Sequence, residues 1–172
     1  MNIKTAVSVE EYLQTSFEGA DCEYLDGEVV ERNMGEIPHA LLQSHLLVLL
    51  HQLGSQSGLQ VLAEIRIQIS PKRYRVADIA VWRPGPIGLR IPAVVPFLAV
   101  EILSPEDRMV RLQPKIQEYL SLGVEHVWLV DPFERRALTY SRQDPAGRLT
   151  NLLETKNPRI EIAVEDLWTC LK

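Results

Sequence analysis

Two carboxylates stand inside runs of apolar residues. Glu101 lies in PFLAVEILSP, residues 96–105, and Asp78 in RYRVADIAVW, residues 73–82. An unbroken apolar run between prolines reads as a strand buried on both faces. A carboxylate buried there is costly unless something neutralises it or its pKa rises. Side chains alternate along a strand, so Glu101 shares its face with Phe97, Ala99 and Leu103, and Asp78 lies between Val76 and Ala80 on its own face. If the two strands are neighbours, the carboxylates converge near the strand ends, where two like charges cannot both stay ionised cheaply. A divalent cation resolves both costs. Hard oxygen ligands select Mg²⁺ or Mn²⁺, with the remaining positions left to water and a substrate phosphate. Taken singly, each carboxylate could instead pair with its own Arg or Lys, or lie at an exposed strand end. On the two faces themselves no cationic residue stands beside them.

Lys115 lies one turn into the helix expected after the Glu101 strand, flanking an apolar stripe of Ile116, Tyr119 and Leu120. It can point back toward the carboxylates and polarise a phosphoryl oxygen or hold an attacking water, or it can be a solvated flank residue. Lying outside the stripe, it is expected to matter more to turnover than to folding. His39, His45 and His51 are six residues apart, which is not the i, i+4 spacing of a helical zinc pair. His39, in the first turn of its helix, could contact an anion. PKRYR, residues 71–75, is a compact basic cluster that either touches a nucleic-acid backbone or forms a solvated strand turn. A Gly-rich phosphate loop, a nucleophile elbow and a CxxC pair are all missing from the sequence.

The elements that must position these residues follow from periodicity and turn signals. Ser8 with Glu11 is a capping-box pattern for a helix over about residues 8–15. Asp26-Gly27 in CEYLDGEVVER is a hairpin signal. Pro38 opens a helix to about residue 54, with Leu42, Leu46, Leu49, Leu50 and Leu53 at helical spacing. LQVLAEIRIQIS alternates as a half-buried strand, with Val61, Ala63, Ile65, Ile67 and Ile69 on one face. The Asp78 strand and the Glu101 strand follow. Pro114 is expected in the first turn of a helix that reaches Leu122 and is closed by Gly123. EHVWLVDP is a further buried strand, RALTYSR and RLTNLLE suggest a closing hairpin, and VEDLWTCLK a short terminal helix. The core order is helix, three strands, helix, strand, in an α/β or α+β arrangement with a mixed sheet and added hairpins.

The 172 residues are expected to form a single domain, residues 1–172, with 46% hydrophobic and 24% charged residues. A net charge of −5 argues against a protein that coats polyanions through a broad basic surface, although not against one that grips a phosphodiester locally. Cys22 and Cys170 have neither metal-ligand nor redox spacing and read as core thiols. MNIKTAVSVEEYL has no apolar signal-peptide core, and ALLQSHLLVLLHQL is too short and interrupted to span a bilayer. A soluble cytoplasmic protein is expected, with no membrane partner.

SVEEYL, CEYLDGEVVE, RVADIAVW, AVEILSPEDR, then Lys115 and Tyr119, then GVEHVWLVDP, occur in this order over residues 8–150. Together they resemble the Uma-type family of bacterial restriction endonucleases, assigned to the PD-(D/E)XK nuclease superfamily. The resemblance implies a restriction-endonuclease-like core in which Asp78 and Glu101 hold Mg²⁺ (or Mn²⁺), helped by the backbone carbonyl of Ile102. Glu101 would then meet a metal ion rather than a protein cation. The sequence departs from the superfamily pattern at several positions. Ala77 stands where a proline usually precedes the aspartate, and Leu103 where a lysine usually follows the glutamate. Lys115 matches a lysine relocated to the next helix, though Arg111 and Pro114 replace acidic residues often seen before it. For the glutamate often found on the first core helix, the candidates are Glu36, Glu28 and Glu23, with His39 and Tyr119 as possible accessories. The function implied is Mg²⁺-dependent hydrolysis of DNA phosphodiesters by a homodimer, since cutting a duplex needs two sites and the chain offers one. A regulatory nucleic-acid-binding module, or a hydrolase of a small phosphorylated substrate in a closed pocket, are the competing readings.

Overall fold

The computed structural model describes residues 7–18, 21–32, 35–105 and 109–171, with residues 109 and 110 described by their backbone alone. Ser8 caps helix α1 (Val9–Gln14), its hydroxyl accepting the N–H of Glu11 at 3.1 Å. Strands β1 (Glu23–Leu25) and β2 (Glu28–Val30) form the expected hairpin. Its two central residues, Asp26 and Gly27, have φ of 53° and 105°, as a type I′ turn requires. Helix α2 (Ile37–Gly54) carries Pro38 in its first turn and buries Leu42, Leu46 and Leu50 completely. Leu53, expected on the same stripe, is 44% exposed.

Strands β3 (Gln60–Ser70) and β4 (Arg73–Trp82) form a long antiparallel hairpin, followed by β5 (Leu98–Ile102). Helix α3 (Met109–Leu122) carries Pro114 inside it rather than in its first turn, and Gly123, with φ of 118°, closes it. The proline has no N–H to contribute to the helical ladder at that point. Strand β6 (His126–Asp131) runs parallel to β5. The closing hairpin is β7 (Arg136–Ser141) with β8 (Arg148–Thr150). A second, two-stranded sheet of β9 (Leu152–Lys156) and β10 (Arg159–Ala163) follows. The last segment is α4 (Val164–Leu167) with a 3-10 turn over Trp168–Leu171.

The main sheet has the order β2-β1-β4-β5-β6-β7-β8, with β3 on β4. One apolar layer joins α2, β10 and α4 to the sheet through Leu42, Leu46, Ile79, Val100, Ile162 and Leu167. On the other face α3 packs Ile116, Tyr119 and Leu120 on Ala80, Ala99 and Val127. The predicted core order is therefore the observed one.

Two irregularities of this sheet make the site. The first is a fork. Along one edge β4 pairs with β3 throughout, but its other edge changes partner. It pairs with β1 at Arg73 and Tyr74 and with β5 from Ile79 to Val81. Between them, residues 75–78 have no strand on that side, so their backbone groups need other partners.

The second is a bulge. Ser70 pairs with Arg73, but Gln68 pairs with Tyr74. Had the register of the turn continued, Glu64 would stand opposite Ile79. The shift leaves it facing Asp78, between the pairs Ala63–Ile79 and Ile65–Ala77. Glu64 has φ of 49°, a left-handed conformation rare for such a residue. The simple alternation expected of β3 fails there. Val61 packs in the α2 layer, whereas Leu62, Ile65, Ile67 and Ile69 all join the α3 layer.

Candidate functional site

The β4–β5 register, extended one pair beyond Ile79–Val100, sets Asp78 level with Glu101. Both side chains are buried. The two carboxylates expected to converge from successive strands thus lie side by side at the fork. They line a cleft of about 280 Å³ together with Glu23, Arg32, His39 and Lys115.

Side chains satisfy the backbone that the fork leaves open. The carboxylate of Glu23 accepts the N–H of Val76 at 3.2 Å, and Lys115 Nζ donates to the carbonyl of Val76 at 2.8 Å. Gln43 Nε2 donates to the carbonyl of Asp78 at 3.0 Å. Asp78 in turn accepts the N–H of Ile102 at 2.7 Å. The same groups that could do chemistry therefore hold the strands in place.

Each carboxylate has its own protein cation. Lys115 is buried and donates to Glu101 at 2.7 Å, with Glu23 at 3.1 Å from the same ammonium. The hydroxyl of Tyr119 donates to the other oxygen of Glu101 at 2.9 Å. Arg32 bridges Asp78 and Glu64, and His39 Nε2 lies 3.4 Å from Asp78. The expectation that Glu101 meets no protein cation is thus revised. Alternation along one strand says nothing about what the next helix or hairpin brings across the fork.

Burial raises the pKa of Glu101 to about 7, against the opposing pull of Lys115. One ammonium shared between Glu101 and Glu23 does not offset the desolvation. Asp78 suffers the same burial, but the hydrogen bond from His39 and the charges of Arg32 and Lys115 hold its pKa below the ordinary value. Burial also works against charged Lys115, yet Glu101 and Glu23 keep its pKa above the ordinary value.

Among the described residues no three His, Cys, Asp or Glu side chains are grouped as a ready-made metal cage. The donor chemistry nevertheless suits a hard divalent ion. Two carboxylates of adjacent strands meet in one cleft, Asp78 already holds a guanidinium, and Glu101 is buried deeply enough that Lys115 does not offset its desolvation. Lys115, far from a solvated flank, is aimed at the pair.

The other candidates divide. Glu36 and Glu28 are exposed and do not line the cleft, whereas Glu23 is buried in its wall. His39 is buried against Asp78 rather than free at a helix start. In the basic cluster, Arg73 is committed to Asp26 and Glu118, and Arg75 to Glu23 and Glu118. Arg32, Glu64 and Gln43 were not foreseen. Gln43 lies one helical turn beyond His39 on α2 and could have been found from that i, i+4 spacing. Glu64 needs the bulge, and Arg32 lies in a segment without periodicity.

A mixed sheet between α2 and α3, with carboxylates delivered by the second and third core strands, defines a restriction-endonuclease-like fold. The model of the Uma2 family, described as "Putative restriction endonuclease", matches residues 9–170, and the chain belongs to that family. A crystal structure of a protein from Anabaena variabilis, described as a putative nuclease belonging to DUF820, superposes with a TM-score of 0.86. It covers 96% of this chain and 99% of its own at 21% identity, a likeness of fold. Among curated proteins no sequence matches. Among the described residues no helix is long and apolar enough to cross a membrane.

Proposed function

We propose that the chain acts as a single-domain, divalent-metal-dependent DNA endonuclease. The observation that carries this reading is the meeting of Asp78 and Glu101 at the fork, with Lys115 seated on Glu101. Asp78 and Glu101 would hold Mg²⁺ or Mn²⁺ with the backbone carbonyl of Ile102. When bound, the ion supplies Lewis acidity at the scissile phosphate. Lys115, fixed by Glu101 and the Val76 carbonyl, presents positive charge to a phosphoryl oxygen or to the attacking water. Tyr119 orients Glu101 from below, and His39 steadies Asp78.

Two such chains would form a homodimer working in the cytoplasm, one site for each strand of the duplex. Ile37, Leu41 and Val48, 76%, 43% and 53% exposed on α2, are apolar surface consistent with a further copy. The C-terminal segment offers less apolar surface, since Leu167 is buried and Trp168 packs on the core.

A nucleic-acid-binding module without cleavage is the second reading. It is favoured by the saturation of both carboxylates with protein donors. The two are separated by incubating single- and double-stranded DNA with Mg²⁺, Mn²⁺ or a chelator, using wild type and Asp78→Asn. Metal-dependent cleavage lost in Asp78→Asn supports the enzyme. Binding without cleavage in every metal supports the module.

A further inference from the structure

The guanidinium of Arg32 lies directly against the buried carboxylate of Asp78, on the oxygen that His39 does not face. Arg32 follows β2, on a hairpin at the edge of the sheet, and its side chain is only 14% exposed. It reaches across to Asp78 Oδ1 with one nitrogen and to Glu64 Oε2 with another, forming a fork between two strands. Glu64 is aimed at this place by the bulge and by its left-handed backbone, and Gln43 Nε2 fixes its other oxygen at 2.7 Å. Strain of this kind persists only where surrounding structure enforces it. Here the enforced result is a seat for the guanidinium beside a residue that would hold the metal.

We infer that Arg32 is a resident counter-cation that competes with the divalent ion for Asp78, with Glu64 as the arm that holds it in waiting. The inference rests on the metal-dependent reading above and adds to it a control on when the ion can enter. Without metal, Arg32 neutralises the buried aspartate and occupies the place beside it. With metal, Asp78 exchanges one positive partner for another, while Glu64 retains Arg32 at the rim of the cleft. A dication and a guanidinium on the same carboxylate repel each other, so occupancy by one weakens the other. Glu64 is a positioning residue in this scheme, since it acts through Arg32.

The test is calorimetric titration of the full chain with MnCl₂, without DNA, on wild type, Arg32→Gln, Arg32→Lys and Asp78→Asn. Arg32→Gln is expected to bind Mn²⁺ about tenfold more tightly than wild type, the weight of one lost repulsive charge near the ion. Arg32→Lys, which keeps the charge but cannot make the fork, should fall between them and serves if Arg32→Gln does not fold. Asp78→Asn should lose the binding. Wild type binding Mn²⁺ with an affinity that neither Arg32 variant raises overturns the inference and leaves the metal-dependent reading standing. If wild type binds no Mn²⁺ and neither Arg32 variant does, the metal-dependent reading fails and the inference fails with it.

Discussion

Lys115 shows how much burial changes a residue's meaning. Its place beside an apolar stripe suggested a side chain that could be removed without harm to the fold. The structure instead makes it the shared partner of two buried carboxylates and of an unpaired strand carbonyl. Deleting one partner of a buried pair leaves an uncompensated charge and destabilises by about 3–5 kcal/mol. Lys115→Ala should therefore lose stability on that scale in urea unfolding as well as any nuclease activity. Glu101 gives a pH signature in the chelator-treated protein. Its pKa rises from the ordinary 4.5 to about 7 because burial disfavours the charged form. In that window the folded chain holds a proton that the unfolded chain has released, so this contribution to stability falls as pH rises. Glu101→Gln should flatten the slope between about pH 4.5 and pH 7 relative to wild type. An unchanged slope would show that Glu101 titrates normally.

At the scale of elements, the sequence was legible wherever one strong local signal acted alone. Asp26-Gly27 gave the first hairpin, Pro38 and a leucine stripe gave α2, and apolar runs gave β4, β5 and β6. The β9–β10 hairpin was missed because RLTNLLE reads as one strand, whereas it divides at Asn151 into β8 of the main sheet and β9, which pairs with the alternating Ile160 and Ile162 of β10. The carboxylate pair was legible because both residues interrupt apolar runs. The fork and the bulge were not, since both depend on which strand edges meet, and register shifts by one residue leave no mark on composition. Element α1 has its own test. Tyr12 is fully buried, stacks on Tyr24 at 5.1 Å and donates its hydroxyl to the Cys22 carbonyl at 2.7 Å. Tyr12→Phe should cost about 1 kcal/mol, the net worth of one hydrogen bond, while Tyr12→Ala should cost about 3–5 kcal/mol for the lost ring. Equal losses in chemical denaturation would mean that the ring contributes little beyond its hydroxyl.

For the whole molecule, the proposed dimer makes the simplest prediction. Light scattering should give twice the 19.5 kDa of one chain, and a single-chain mass would leave nicking of one strand as the better account. The charge of −5 requires that any DNA contact be gathered around the cleft rather than spread over the surface. The fork has a further consequence for how the site can be watched. The amide protons of Val76 and Ile102 are held by the carboxylates of Glu23 and Asp78, not by neighbouring strands. Amides of the β4–β5 ladder, from Ile79 to Val81, exchange with solvent only when the sheet itself opens. Those of Val76 and Ile102 depend instead on a side-chain acceptor, whose displacement should be enough to raise their exchange. Deuterium uptake at these two positions is therefore expected to follow the two carboxylates of the cleft, and uptake along the ladder to follow the sheet.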